Sequence, residues 1–257
     1  MRARTVALFA GGTVFLAGAA VALAAYAFDP YADWRGLRTS IVRLARCAGD
    51  RTTCRREVPD GYTDLGDFRP TFYRILDERA AEWPLEEPTE SLLSRDGRLI
   101  ARVAPTFQHR LDIEGSARLR DGRIVNLDER IEGRWRYLVA RDAPYGLGAS
   151  GYKLIPYRTL AVDPKVIRRG TVLYLPALDG VRLPTGEIHD GFAFAHDVGE
   201  RITGRRVDIF VGFESDVDNA LIRSARVGNM VPLRLYRVDR DTASELNERF
   251  RPQFEAS

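Results

Sequence analysis

The sequence predicts a mainly β protein. Three short apolar runs, at residues 159–162, 192–195 and 207–211, are rich in β-branched and aromatic residues and have the length of buried strands. Asp-Gly pairs at positions 96–97 and 121–122, flanked by the apolar runs LIARV and IVNL, are typical of turns between antiparallel strands. With 257 residues, of which 45% are hydrophobic and 29% charged, the chain has room for one medium domain with appendages.

The chain begins with a candidate membrane segment. An uncharged stretch at residues 5–28 would span roughly 36 Å as a helix, which exceeds a bilayer core of about 30 Å. Arg2 and Arg4 precede it, so residues 1–4 are predicted to be cytoplasmic and the remainder to lie outside. The segment is either an uncleaved transmembrane anchor, which we favour from its length, or a signal sequence cleaved after an Ala-x-Ala site. The predicted location is the cell envelope, either anchored in the inner membrane facing the periplasm or, after cleavage, secreted to the periplasm.

Residues 29–57 link this segment to the rest of the chain. Their first part, ADWRGLRTSIVRLARC, places apolar side chains at helical spacing opposite arginines, which predicts a juxtamembrane amphipathic helix. Cys47 and Cys54 are the only cysteines, and outside the membrane such a close pair predicts a local disulfide. We expect one extracytoplasmic domain at residues 58–240, followed by a short helix and a tail at residues 241–257.

Composition narrows the possible partners. The net charge of +3 comes from scattered arginines, and no nucleic-acid motif accompanies them, so no nucleic-acid partner is expected and a glycan fits better. The three histidines, His109, His189 and His196, lack the spacing and the further ligands of a metal site. The string G-x-G-x-x-G in PYGLGASGYK is followed by no helix signal, so a dinucleotide site is not expected either.

The remaining elements follow from local patterns. The first strand of the domain is predicted at residues 68–78, where Thr71 and Tyr73 lie on one face. The Pro- and Glu-rich residues 80–93 predict a short helix or a loop. Trp135 and Tyr137 share one face of a later strand, where the rings serve equally well as core or as platforms for sugars. Near the C-terminus, VPLRLYRV predicts a last strand and TASELNERFR a short helix.

Three aspartates lie at predicted strand ends: Asp163 in AVDP, Asp197 in FAHDVG and Asp208 in RRVDIFVG. Each of them alone is explained as a turn former or as a satisfied strand residue. A carboxylate beside buried apolar residues is nevertheless costly unless it is hydrogen-bonded or protonated. Two that converge raise the pKa of one, which suits a general acid. Spacing alone does not decide between the two interpretations.

The segments AVDPKVIRRGTVLYLP, AHDVGERITG and RRVDIFVG together resemble the 3D domain, named for three aspartates. This domain is found in bacterial cell-wall proteins and in the catalytic domain of MltA-type lytic transglycosylases. The resemblance implies a double-psi β-barrel with a six-stranded core, in which Asp208 is the catalytic acid and Asp197 and Asp163 line the same groove. Two positions depart from the family pattern, because Glu200 replaces a glycine and Thr203 a lysine.

The resemblance also implies further site residues. Asp197 would hold or polarise Asp208, and the expected substrate-binding residues are Asp163, Thr71, Tyr73, Gly148, Gly151 and Lys153. The stretch IEGSARLRDGRIVNLDE resembles a segment that lies upstream of the aspartate motifs in some 3D-domain proteins. It is therefore predicted to belong to the barrel or to an insertion in it, as a candidate wall of the sugar groove.

The function implied by the resemblance is that of a peptidoglycan lytic transglycosylase. Asp208 would protonate the β-1,4 glycosidic oxygen between N-acetylmuramic acid and N-acetylglucosamine, and the C6 hydroxyl would then form the 1,6-anhydro product. Glycan strands are the expected partner, and no metal or organic cofactor is implied. The alternatives are a non-catalytic glycan-binding barrel of the cell envelope and a plain glycoside hydrolase. The sequence gives no indication of an oligomeric state.

Overall fold

The computed structural model describes residues 58–80, 86–199, 201–213 and 227–255. These residues form a mainly β structure, as the sequence predicts, and belong to one compact unit that begins at Val58. In chain order the elements are β1 (Thr63–Asp77), β2 (Glu90–Leu93), β3 (Leu99–Val103), α1 (Pro105–Glu114), β4 (Ser116–Arg118), β5 (Ile124–Ile131), β6 (Arg134–Val139), β7 (Thr159–Val162), β8 (Val172–Tyr174), β9 (Phe192–Asp197), β10 (Arg206–Phe213), β11 (Leu233–Arg237) and α2 (Arg240–Phe254).

Several predicted features lie outside the described residues. They are the membrane segment at residues 5–28, the juxtamembrane helix, the Cys47 and Cys54 pair, and Glu200. Within the described ranges, neither helix has the length and apolar character needed to cross a bilayer. The predicted domain limits likewise stay predictions.

Six strands close into a barrel. Their order is β10-β7-β9-β8-β11-β1, and β1 pairs back with β10 to complete the ring. The β1–β10 and β7–β9 pairs are parallel, whereas the other four neighbouring pairs are antiparallel. Closure pairs the backbone groups that an open sheet would leave at its edges, and it brings strands from both ends of the described chain side by side.

Alternate residues of the strands fill the barrel interior. Leu160 and Val162 of β7 and Ile209 of β10 are 0% exposed and belong to one apolar core. Burying each such side chain stabilises the fold by roughly 1.5–3 kcal/mol. Because successive side chains of a strand point to opposite faces, Ala161 and Asp208 lie on the outer face of the barrel.

A second, smaller core forms beyond the end of β1. This strand is 15 residues long, and its last residues leave the barrel to pair with β4, Leu76 opposite Ala117. Strands β4, β5 and β6 continue as an antiparallel sheet, against which the β2–β3 hairpin and α1 pack. The predicted Asp-Gly turns connect β2 to β3 and β4 to β5, where Gly97 and Gly122 adopt φ angles of 79° and 91°. Glycine takes up such positive φ values at little cost.

Two elements of this second core differ from the sequence expectation. The prediction of a short helix or loop at residues 80–93 is wrong for residues 90–93, which form β2 because they pair with β3. Helix α1 is not predicted, since only Phe107 and Leu111 are buried and the apolar periodicity is weak. It begins with Pro105, whose fixed φ suits a first turn, and ends at Gly115 with a left-handed φ of 85°.

Helix α2 covers one wall of the barrel. It begins after Asp239, whose side chain accepts a hydrogen bond from the backbone N–H of Thr242 at 2.9 Å, as an N-cap does. The apolar face of α2 is buried, and the rings of Phe254 and Phe194 of β9 lie 4.4 Å apart in an edge-to-face arrangement. The sequence predicts this helix, but shorter than its 15 residues.

Candidate active site

Four strands of the barrel contribute one row of paired residues. Ala161 of β7 pairs with Asp197 of β9 on one side and with Asp208 of β10 on the other, and Asp208 in turn pairs with Thr71 of β1. Paired residues of neighbouring strands project to the same face of a sheet. The row therefore brings Asp197, Asp208 and Thr71 together on the outer face of the barrel. Ala161 between the two aspartates leaves room because its side chain is a single methyl group.

A β-bulge puts Asp197 into this row. Thr159 pairs with Phe194, but two residues later Ala161 pairs with Asp197, so β9 carries one extra residue at this point. Strict alternation would otherwise place Asp197 on the interior face with Ala195, which belongs to the barrel core. A bulge re-aims the side chain that follows it, and bulges are over-represented next to active sites.

The carboxylate of Asp197 is held by three hydrogen bonds. Its Oδ2 accepts the Tyr73 hydroxyl at 2.8 Å, and its Oδ1 accepts the backbone N–H groups of Ala149 at 2.8 Å and Val198 at 2.9 Å. Burial raises the pKa of Asp197 above its usual value, although these three donors act in the opposite direction. Burial and the neighbouring Asp197 charge also raise the pKa of Tyr73, so the phenol stays a donor. Tyr73 therefore fixes the position of Asp197.

Asp208 is a half-buried carboxyl whose pKa is raised toward neutral pH. Burial raises the pKa of Asp208 to about 6; the charges of Glu114 and Asp197 add to this rise, and Thr71 and Arg206 oppose it. The Thr71 hydroxyl faces Asp208, yet its Oγ1 and Asp208 Oδ1 are both buried without a hydrogen bond of normal geometry to any described residue. Asp208 Oδ1 therefore has unused hydrogen-bonding capacity.

A loop between β6 and β7 backs Asp197. A Cβ atom on Gly148 would lie 2.9 Å from the carbonyl oxygen of His196 and 3.2 Å from Cγ of Asp197, so only glycine lets this loop approach β9. The loop is held in turn by Asn126 of β5. Its side-chain amide donates to the carbonyl of Leu147 at 2.8 Å and accepts the N–H of the same residue at 3.0 Å. Asn126 lies in the upstream stretch IEGSARLRDGRIVNLDE, but the sequence does not predict this role.

Asp163 is not one of the paired residues of the row. Its Oδ2 accepts the N–H of Gly204 at 2.7 Å and its Oδ1 that of Lys165 at 2.9 Å, and these two donors lower the pKa of Asp163. The carboxylate thus joins the end of β7 to the segment before β10, which is the behaviour of a turn-forming aspartate. Asp163 makes no hydrogen bond to Asp197 or Asp208.

Gly151 and Lys153, two further predicted substrate-binding residues, differ in their exposure to solvent. Gly151 is exposed with φ of 78° and no atom within 4 Å of an added Cβ. Lys153 is only 8% exposed, and its backbone N–H donates to the carbonyl of Phe254 at 2.8 Å. Their proposed contact with a glycan stays a prediction. Within the described ranges, His, Cys, Asp and Glu side chains form no group of three that would hold a metal ion.

Replacing Gly148 by alanine is expected to destabilise the protein by about 1–3 kcal/mol, because the new methyl group must displace the backbone of His196 or the carboxylate of Asp197. Urea denaturation followed by tryptophan fluorescence measures the loss. Ala149→Ser, at the exposed neighbouring position, is the matched control and should leave the free energy of unfolding within about 0.5 kcal/mol. An unchanged value for Gly148→Ala would show that the loop does not press on β9.

Comparison with known proteins gives one family and several distant structures. Residues 158–231 match the family model of the 3D domain, and this range contains all three aspartates. No curated protein sequence matches significantly. Similar solved structures include E. coli MltA with bound chitohexaose (17% identity, 67% of this chain and 71% of that chain covered, TM-score 0.41). Another is a membrane-bound lytic murein transglycosylase from Agrobacterium tumefaciens (15% identity, 70% of this chain and 76% of that chain covered, TM-score 0.41). A third is the lytic transglycosylase LtgG of Burkholderia pseudomallei (20% identity, 76% of this chain and 85% of that chain covered, TM-score 0.36).

The family match and the residue pattern agree on the same segment. It begins one residue before β7 and runs through β10, and so contains both aspartates of the row together with Asp163. The chain therefore contains a 3D domain, at residues 158–231.

Proposed function

We propose that this protein is a peptidoglycan lytic transglycosylase in which Asp208 is the general acid and base. The observation that carries the proposal is the state of Asp208: its pKa is raised to about 6, and its Oδ1 has no hydrogen bond to the described residues. A carboxylic acid with this pKa is partly protonated near neutral pH and gives up its proton readily. The 3D domain, known from bacterial cell-wall proteins, supplies the substrate class.

In the proposed reaction, protonated Asp208 donates to the glycosidic oxygen between N-acetylmuramic acid and N-acetylglucosamine, and this bond breaks. The resulting carboxylate then accepts the proton of the C6 hydroxyl as that oxygen attacks the anomeric carbon. The product is a 1,6-anhydro sugar, and Asp208 returns to its protonated state. One acid suffices because the attacking group belongs to the substrate, whereas ordinary glycosidases use two carboxylates.

Asp197 has a supporting part in this proposal. Its negative charge raises the pKa of Asp208, and the bonds from Tyr73 and the Ala149 backbone keep that charge in place. Thr71 would orient the Asp208 carboxyl. We further propose that the barrel is of the double-psi type, that Asp163, Gly148, Gly151 and Lys153 border the glycan path, and that residues 5–28 anchor the domain at the outer face of the inner membrane.

A plain glycoside hydrolase is the second candidate, and Glu114 favours it. This residue ends α1, and its charge raises the pKa of Asp208. A second carboxylate near the acid is what a hydrolase needs, either as nucleophile or as the base that activates water. The two reactions differ in their products, since hydrolysis leaves a reducing end and the transglycosylase leaves none.

The products formed from purified sacculi distinguish these functions. We expect the protein to release soluble muropeptides with 1,6-anhydro ends, which mass spectrometry identifies because they are lighter by one water than the reducing products. Reducing ends that disappear in Glu114→Gln would favour the hydrolase. Binding to sacculi without any release, equal in the wild type and in Asp208→Asn, would favour a glycan-binding barrel and would contradict the catalytic assignment.

A further inference from the structure

A cavity of about 770 Å³ lies away from the aspartate row, between β2, α1 and the β5–β6 hairpin. Its size is that of sites which bind small molecules and short peptides. The wall contains Arg130, Arg134, Trp135 and Arg136, together with one face of α1. None of Thr71, Tyr73, Asp197 and Asp208 lines it. The cavity is therefore separate from the proposed catalytic groups.

The three arginines of the cavity form no ion pair within the part of the chain that the structure describes. Arginines elsewhere in the same small core do: Arg95 pairs with Asp128 at 2.9 Å, and Arg118 pairs with the buried Asp77. Arg136 is partly buried, and its Nε has no hydrogen-bond partner among the described residues. A buried guanidinium N–H that lacks a partner is costly, so Arg136 has unsatisfied donor capacity beside the cavity.

The rest of the wall holds one of the arginines and limits the ligand. The guanidinium of Arg130 lies 4.4 Å from the ring centroid of Trp135, which holds it at the wall by a cation–π contact. Two carboxylates, Glu90 and Asp112, also line the cavity. Asp112 already accepts the hydroxyl of Tyr137 at 2.6 Å. The three guanidinium groups outnumber the two carboxylates, so the cavity wall carries a net positive charge. The two carboxylates can still accept hydrogen bonds from a few N–H groups of a ligand.

We propose that this cavity binds the carboxylate groups of an acidic peptide. A guanidinium presents two parallel N–H donors that match a carboxylate, and the unpaired arginines supply several such forks. The ligand is then a peptide with more than one free carboxylate, whose backbone N–H groups meet Glu90 and Asp112. This inference rests on the proposed function in one respect: the natural ligand would be the peptide stem carried by N-acetylmuramic acid.

Helix α1 connects the cavity with the catalytic groups. Asp112 and Ile113 line the cavity, and Glu114, the next residue, influences the pKa of Asp208. Adjacent residues of a helix rise by about 1.5 Å along its axis, so Glu114 and the two cavity residues lie within one turn at the C-terminal end of α1. In this proposal, a glycan bound beside Asp208 extends its peptide along this end of α1 toward the arginines. The cavity would select glycan strands that still carry their stems.

Direct binding tests the site without any need for catalysis. The probe is the tetrapeptide L-Ala-γ-D-Glu-meso-diaminopimelyl-D-Ala, titrated by calorimetry into the purified full chain. We expect Arg134→Gln/Arg136→Gln to weaken binding at least about tenfold, because each lost charged hydrogen bond matters that much. Arg98→Gln, an exposed arginine on the β2–β3 hairpin that pairs with Asp96, is the matched control and should bind normally. If the double variant unfolds, the exposed Arg134→Glu serves in its place.

Catalytic turnover gives a second test. The release of soluble products is compared between glycan strands with intact stems and strands stripped of their peptides by an amidase. The double variant should lose about tenfold in rate on the stem-bearing strands and remain unchanged on the stripped strands.

The outcomes separate this inference from the proposed function. Tetrapeptide binding that depends on the arginines, with no release from either glycan, would support the peptide site and contradict the transglycosylase. Release from both glycans, with tetrapeptide binding absent or equal in the wild type and the double variant, would overturn the peptide site and leave the enzyme intact. Binding of inorganic phosphate but not of the tetrapeptide to the same arginines would also overturn it.

Discussion

Asp208→Asn is expected to lower the release of soluble muropeptides from sacculi by about 10²–10⁴-fold, which is the contribution of a well-placed general acid and base. Asparagine keeps the size of the side chain but has no proton to donate at the pH of the assay. For the wild type, the rate should fall as the pH rises through about 6, because Asp208 loses its proton there. The rate is measured from initial product release between pH 4.5 and 8.

Asp67→Asn is the matched control for this substitution. Asp67 lies on β1 of the same barrel, where its carboxylate pairs with Arg234 at 3.2 Å on the exposed surface. An exposed ion pair contributes little, so this variant should keep both its rate and its stability. A wild-type rate in Asp208→Asn, or a pH profile that is flat from 5 to 7, would remove Asp208 from the mechanism.

Asp208→Asn is expected to raise the stability of the protein at pH 7, although it lowers the activity. The pKa of Asp208 is higher in the folded state than the ordinary value of 3.8, so the folded state holds its proton more tightly than the unfolded chain. Stability is therefore lost as the pH rises from about 4 to about 6, by at most about 3 kcal/mol and by less after allowance for the partial exposure of Asp208. Asp208→Asn should consequently unfold at a higher urea concentration than the wild type at pH 7, and this gain should vanish at pH 4.

Individual strands and turns were open to prediction because their signals are local. The buried strand β7 and the turns at Gly97 and Gly122 follow from short apolar runs and Asp-Gly pairs. The active-site row could not be predicted, because it depends on which strands become neighbours. Its members are Asp197, Ala161, Asp208 and Thr71. Strand β1 reaches β10 through a parallel pairing across most of the described chain, and nothing in either segment specifies that partner.

The orientation of Asp197 shows the limit of sequence patterns most directly. Alternation along β9 assigns Asp197 to the barrel interior with Ala193 and Ala195. The bulge opposite Ala161 reverses that assignment, and its position is set by packing between β7 and β9. For Asp163, by contrast, the ordinary interpretation as a turn former describes its hydrogen bonds correctly. Resemblance to a family predicts the three aspartates without distinguishing these two situations.

Asn126→Ala is expected to destabilise the protein by about 2–4 kcal/mol. Asn126 is 5% exposed, and its side-chain N–H groups donate to Ser116 Oγ at 2.6 Å and to the carbonyl oxygen of Leu147. Its side-chain oxygen accepts the backbone N–H of Leu147. Alanine leaves these groups without partners, and each buried polar group that loses its hydrogen bond costs about 1–3 kcal/mol. Urea denaturation at pH 7 measures the loss.

The loss should extend from stability to the active site, because Leu147 and Gly148 precede Ala149, whose N–H holds Asp197. A looser loop weakens that bond and lets Asp197 move relative to Asp208, so we expect kcat to fall about tenfold at temperatures where the variant is folded, with KM changed less. Asn247→Ala on α2, a half-buried asparagine outside this network, is the control for both readouts. A purely structural role would predict normal kcat in the folded fraction. A fall in kcat together with an altered pH profile around pH 6 would instead connect Asn126, through the loop and Asp197, to the proton on Asp208.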